Sequence, residues 1–155
     1  MSEELKLRIH NHEIIEKSLI AKGAELTDET SFLDTYFKQP QGHVHKIVEK
    51  KQGAFVNIFQ AVNGKFEVVK DEAVQNAKEI KKVLTLKYGV KRIMKGSRKF
   101  YSYKNFKIIF NLIDDVGEFL ILAGENPTKE FVKNDLEIEN PEYITVSFDE
   151  LPTQK

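Results

Sequence analysis

Cysteine is missing from all 155 positions. That excludes a disulfide framework, a thiolate metal site and a thiol nucleophile. No apolar run approaches the ~20 residues that a membrane-spanning helix requires. The first four residues already carry charge, so neither a signal peptide nor a membrane anchor is expected, and a cytoplasmic protein is the default. A Gly-rich nucleotide loop, a Gly-x-Ser-x-Gly elbow and a His-Glu-x-x-His helix are also lacking, which sets aside the commonest nucleotide-binding, serine-hydrolase and zinc-protease signatures. Glycine and proline, at eight and four residues, do not gather into a linker. The chain therefore reads as one domain over 1–155, large enough to bury a core without staples.

What the sequence does contain begins with residues 2–10. Glu4, Lys6, Arg8 and His10 alternate with Leu5, Leu7 and Ile9, so a strand here has one ionisable and one apolar face. Solvent would suit the charged face. An enclosed cavity would suit it differently, because an acid followed by two long cations can cradle a phosphate chain. Asn11 caps a predicted helix over 12–22 that Gly23 stops. Strands are expected at 25–36 (broken near Asp28–Glu29), 43–50, 54–62 and 65–70, with Asn63-Gly64 as the strongest hairpin signal. Asp71 is expected to cap a helix over 72–88. Further strands follow at 90–94, 98–103, 106–113 and 118–123. A helical turn is expected after Asn126-Pro127, and Ser147 and Glu150 have capping-box spacing. Seven or eight strands with two long helices favour an α+β fold, an antiparallel barrel or strongly curled sheet.

Net charge is zero, yet Lys78–Lys107 holds eleven Lys/Arg against Glu79 alone, and Asp114–Glu150 holds eleven Asp/Glu against Lys129 and Lys133. The two readings are a polyanion-facing region and a pair of faces that neutralise each other. His43-x-His45 places two imidazoles on one strand face, but with no thiol and no evident third ligand they read as surface histidines ahead of a zinc site. Phe100, Tyr101 and Tyr103 among Arg98, Lys99 and Lys104 resemble a stacking platform for single-stranded nucleic acid. Aromatic residues in sheets are more often core, and nucleic acid is not the expected partner.

Several short motifs occur in a familiar order: Glu4-Leu-Lys6-Leu-Arg8, a helix ending in Gly23-Ala24, Asp34-Thr-Tyr-Phe37, Gly117-Glu-Phe119-Leu and Ser147-Phe-Asp-Glu-Leu151. In this the chain resembles the CYTH superfamily, the class IV adenylyl cyclases and thiamine triphosphatases also called triphosphate tunnel metalloenzymes, and it looks like a degenerate member. The resemblance implies a closed or nearly closed eight-stranded antiparallel barrel with helices packed outside. In such a tunnel basic residues grip a triphosphate and carboxylates hold Mg²⁺ or Mn²⁺. The family's Glu-x-Glu-x-Lys falls on Ser2, Glu4 and Lys6, and its Arg-x-Arg on Lys46 and Val48. Its Thr-x-Lys falls on Ile58 and Gln60, and its Lys-x-Arg on Gly96 and Arg98 with Lys95 adjacent. A family Asp falls on Asn111, and the closing Glu-x-Glu on Ile121 and Ala123.

The expected phosphate-binding residues are therefore Lys6, Arg8, Lys46, Lys95 and Arg98. The remaining metal candidates are Glu4, Glu49 and Glu67. With so few carboxylates, the reading is a tunnel that binds a phosphorylated small molecule, a nucleotide or organic triphosphate, with little or no catalysis. One alternative is a residual adenylyl cyclase or organic-triphosphate hydrolase that still uses Mg²⁺ or Mn²⁺ on Glu4, Glu49 and Glu67. Another is a protein-interaction domain whose lumen is filled by Val48, Ile58, Ile121 and Ala123. A homodimer through an edge strand stays open.

Overall fold

A computed structural model describes residues 2–154. Among these residues nine strands and three α-helices form, in the order β1 (Glu3–Ile9), α1 (His12–Ala21), β2 (Glu25–Phe37), β3 (His43–Lys50), β4 (Gly53–Val62), β5 (Lys65–Val74), α2 (Ala77–Tyr88), β6 (Val90–Tyr103), β7 (Phe106–Ile113), β8 (Gly117–Gly124), α3 (Lys129–Asn134) and β9 (Glu142–Ile144). The strands pair in the order β5-β4-β3-β2-β6-β7-β8-β1, every described pairing is antiparallel, and β5 returns to β1 through Glu3↔Glu67 and Glu4↔Phe66. The eight-stranded sheet is thus a closed barrel, with β9 added along β1 at Lys6–Arg8.

Closure gives two apolar clusters, one on each side of the wall. The inner cluster includes Phe32, Tyr36, Val48, Phe59, Phe66, Phe119 and Phe148. The outer one covers β1, β6, β7 and β8 with Leu5, Leu7, Tyr101, Phe110, Leu120 and Leu122, over which Leu19 of α1 and Val132 of α3 pack. The period-two pattern of β1 feeds both, since its leucines point out to the helices and its ionisable residues point into the barrel.

Local signals account for most boundaries. Asn11 Oδ1 accepts from Ile14 N at the start of α1, and Asn63-Gly64 turns with φ of 51° and 78°, as a tight hairpin needs. The expected break in β2 is a register shift between Leu26 and Asp28. Three expectations are corrected. β5 runs on to Val74, so Asp71 is a strand residue bonded by Asn57 Nδ2 at 2.8 Å, and Asn76 caps α2 instead. β6 is continuous across Lys95–Ser97 because β2 and β7 pair with it on both edges there. Ser147 Oγ makes no cap bond and turns to Asp149, while Thr128 caps α3.

Candidate functional site

Inward-facing positions of the strands enclose a cavity of about 570 Å³. At its depth lie Lys6 of β1, Lys46 of β3 and Arg98 of β6, each less than a tenth exposed. Asp34 of β2 (1% exposed) ties two of them together: its Oδ2 lies 3.1 Å from Lys46 Nζ and 2.6 Å from Arg98 Nη2. Burial would push the Asp34 carboxyl up, but the Arg98 and Lys46 charges and hydrogen bonds outweigh it and hold its pKa below the ordinary value. Arg98 Nε donates to Asn111 Oδ1 at 2.5 Å. That bond fixes the amide, so Asn111 Nδ2 is a fully buried donor with no acceptor.

Lys6 is less well served. Its ammonium sits 4.3 Å from the Phe66 ring centroid, 4.4 Å from Phe148 and 5.4 Å from Phe59. The described carboxylate beside it is Glu4, at 3.8 Å, longer than a hydrogen bond. Burial, opposed by Glu4 and reinforced by the Lys46 and Arg98 charges, pushes the Lys6 pKa down to about 8. Nearer the mouth, Phe55 and Phe100 are half-buried with Lys50 Nζ over both rings at 4.8 and 5.1 Å, and Lys107 is exposed.

Three of the five expected phosphate-binding residues, Lys6, Lys46 and Arg98, converge in this cavity. Arg8 does not join them. The Phe119 ring separates it from the cavity: Phe119 stacks on Phe148 at 4.8 Å, and the Arg8 guanidinium lies on Phe119 at 4.8 Å. There it donates to Val116 O at 3.3 Å and pairs with Glu142 at 3.7 Å. Lys95 faces outward and is exposed. Its neighbour Gly96 has no room for a side chain, because a Cβ there would stand 1.9 Å from Leu112 O.

The metal candidates are not brought together. Glu4 lines the cavity, Glu49 faces out and pairs with Lys81 of α2, and Glu67 lies on the outer face of β5 next to the inward Phe66. Among the described residues no three His, Asp or Glu side chains converge as metal ligands. Mg²⁺ demands six oxygens in near-ideal octahedral geometry. Here Asp34 and Asn111 oxygens are already held by Lys46 and Arg98, Glu4 lies beside an ammonium, and Asp71 lines the cavity with its Oδ1 taken by Asn57.

Of the apolar positions expected in the lumen, Val48, Ile121 and Ala123 line the cavity. Ile58 faces out, and Asn57 and Phe59 take the inward places on β4. His43 is exposed, while His45 packs against Tyr88 with centroids 5.9 Å apart. Tyr101 and Tyr103 are buried in the outer core, so they offer no stacking surface.

No family model matches the chain, and no curated protein matches it in sequence. Solved structures do match. PH1012 from Pyrococcus horikoshii OT3 superposes with a TM-score of 0.85 over 97% of this chain and 99% of that one, at 19% identity. HpAC1 from Hippeastrum, an adenylyl cyclase candidate described as having a dominant triphosphatase activity, gives a TM-score of 0.61 over 95% and 92%, at 14% identity. A candidate adenylate cyclase from Vibrio parahaemolyticus gives 0.58 over 87% and 82%, at 20% identity. At these identities the likeness is one of fold: the chain has the closed antiparallel tunnel found in these proteins.

Proposed function

We propose that the tunnel binds a phosphorylated small molecule, a nucleotide or other organic phosphate, and turns it over little or not at all. The observation that carries this reading is an unpartnered buried donor, Asn111 Nδ2, facing one cavity with the Lys6 ammonium, which lies 3.8 Å from Glu4, and with Lys46 and Arg98. Buried donors without acceptors are costly, on the order of 1–3 kcal/mol each and more when charged. Phosphate oxygens are the acceptors this site lacks, and charge-assisted bonds to them are the strong kind. The likeness to HpAC1 and the Vibrio protein supports a phosphate-bearing ligand. Weak or lost turnover follows from the carboxylates: phosphoryl chemistry in a tunnel needs a dication to neutralise developing charge, and these donors do not fit one.

The test is thermal stabilisation by inorganic phosphate, tripolyphosphate, ATP and thiamine triphosphate, each with EDTA and with Mg²⁺. At least one should raise the Tm beyond the effect of equal sulfate, by the same amount with EDTA as with Mg²⁺, and Arg98→Ala should remove the shift. No stabilisation beyond sulfate contradicts the binding. Phosphate release with Mg²⁺ or Mn²⁺ that Glu4→Gln abolishes contradicts the loss of catalysis.

A further inference from the structure

Resting on that reading, we propose that the ligand is the monophosphate ester of an apolar alcohol, its phosphate at the depth of the tunnel and its body along the wall toward the mouth. Charge is the first reason. Lys6, Lys46, Lys50, Arg98 and Lys107 line the cavity against Glu4 and Asp71, with Asp34 beneath Lys46 and Arg98, a net of two positive charges. A phosphomonoester brings about −1.5 to −2 at neutral pH. A triphosphate brings roughly twice that, which exceeds the net charge of the lining.

Room is the second. A volume of about 570 Å³ lies within the range that encloses a whole organic molecule, and a phosphate group fills a small part of it. The third reason is the wall. Val48, Val68, Ile109, Ile121 and Ala123 line it, while the polar pair Asn57 and Asp71 on β4 and β5 is bonded to itself at 2.8 Å. A polar body laid against those aliphatic side chains would lose water without gaining partners from them, whereas an apolar body loses nothing. At the mouth the Phe55 and Phe100 rings line the same cavity, with the Lys50 ammonium seated over both.

The experiment is isothermal titration of the intact protein in EDTA with 1-naphthyl phosphate, inorganic phosphate and tripolyphosphate. The expected ranking puts 1-naphthyl phosphate about tenfold or more tighter than either inorganic ion. Ile121→Asn should weaken 1-naphthyl phosphate about fivefold or more and leave inorganic phosphate within about twofold, since it adds a polar group to the wall and none to the cation cluster. The wild-type ranking stands without any variant, so a misfolded mutant does not blunt the test. Tripolyphosphate or inorganic phosphate binding as tightly as the naphthyl ester overturns the inference and leaves anion binding intact. If none of the three binds, the inference falls, and the proposed binding falls with it when ATP and thiamine triphosphate also give no stabilisation beyond sulfate.

Discussion

A lysine whose ammonium rests on three phenylalanine rings costs folding free energy for as long as it stays charged. The Lys6 pKa falls from 10.5 to about 8 through burial, so the unfolded chain binds the extra proton between those values. Stability therefore rises with pH across that window, and below pH ~8 the full penalty of about 3 kcal/mol is present. Lys6→Met should be more stable than wild type at neutral pH, by up to that amount, with the gap closing toward pH ~10.5. Urea denaturation across pH reads it, and a variant less stable at neutral pH would show that the rings and Glu4 more than offset the burial. Asp34 is the reverse case. Asp34→Asn leaves Lys46 and Arg98 buried without their shared counter-charge and should cost about 3–5 kcal/mol in the same assay. Lys6 was legible from alternation alone, but its rings come from β4, β5 and the turn after Ser147, which no local pattern joins. Asp34 carried a readable signal, a lone carboxylate between Phe32 and Tyr36 on an inward face, yet its role depends on Lys46 and Arg98 from neighbouring strands.

At the scale of elements, β6 runs unbroken because Gly96 lets β7 approach where any side chain would strike Leu112 O. Gly96→Ala should destabilise by about 1–3 kcal/mol or more, by forcing β6 from β7, and hydrogen exchange should rise first in that pair. In the sequence the same glycine resembled an interruption, since a glycine in a strand marks either a break or a close approach and the distinction is tertiary. The β5–α2 boundary was misread for a related reason. Asp71 suits a helix cap, but Asn57 on the next strand holds it in the sheet. Helix α1 is clasped to the barrel through Glu16, which accepts from Tyr101 Oη at 2.6 Å and lies 3.2 Å from Lys99 Nζ and 2.5 Å from His12 Nδ1. Burial would raise the Glu16 pKa, but the Tyr101, His12 and Lys99 hydrogen bonds outweigh it and lower the pKa. This contribution is present above the ordinary carboxylate pKa and fades as pH falls through the folded value. Glu16→Gln should flatten the loss of Tm on acidification.

For the whole molecule, the uneven charge along the chain resolves partly by folding back on itself. Lys91 pairs with Asp149 and Glu150, Lys104 with Asp135, and Arg92 donates to the carbonyls of Asp149 and Leu151. Of the basic stretch, Arg98 and Lys107 line the tunnel. Alternating patterns and turn residues were enough to indicate a barrel of antiparallel strands. Which cations face inward was legible only as far as each strand's register, so Arg8, on the correct face, still lies behind the Phe119 ring. The central claim is that Lys6 meets a phosphate-bearing ligand directly, without a metal ion between them. Isothermal titration of 1-naphthyl phosphate near pH 8 with EDTA, in two buffers of different ionisation enthalpy, tests it. Binding should draw up to about half a proton onto the protein, because the ammonium with a pKa near 8 gains an acceptor. Lys6→Arg should still bind but take up none, and replacing EDTA with Mg²⁺ should change neither result. Binding that appears only with Mg²⁺, or that moves no proton in the wild-type protein, would contradict the account.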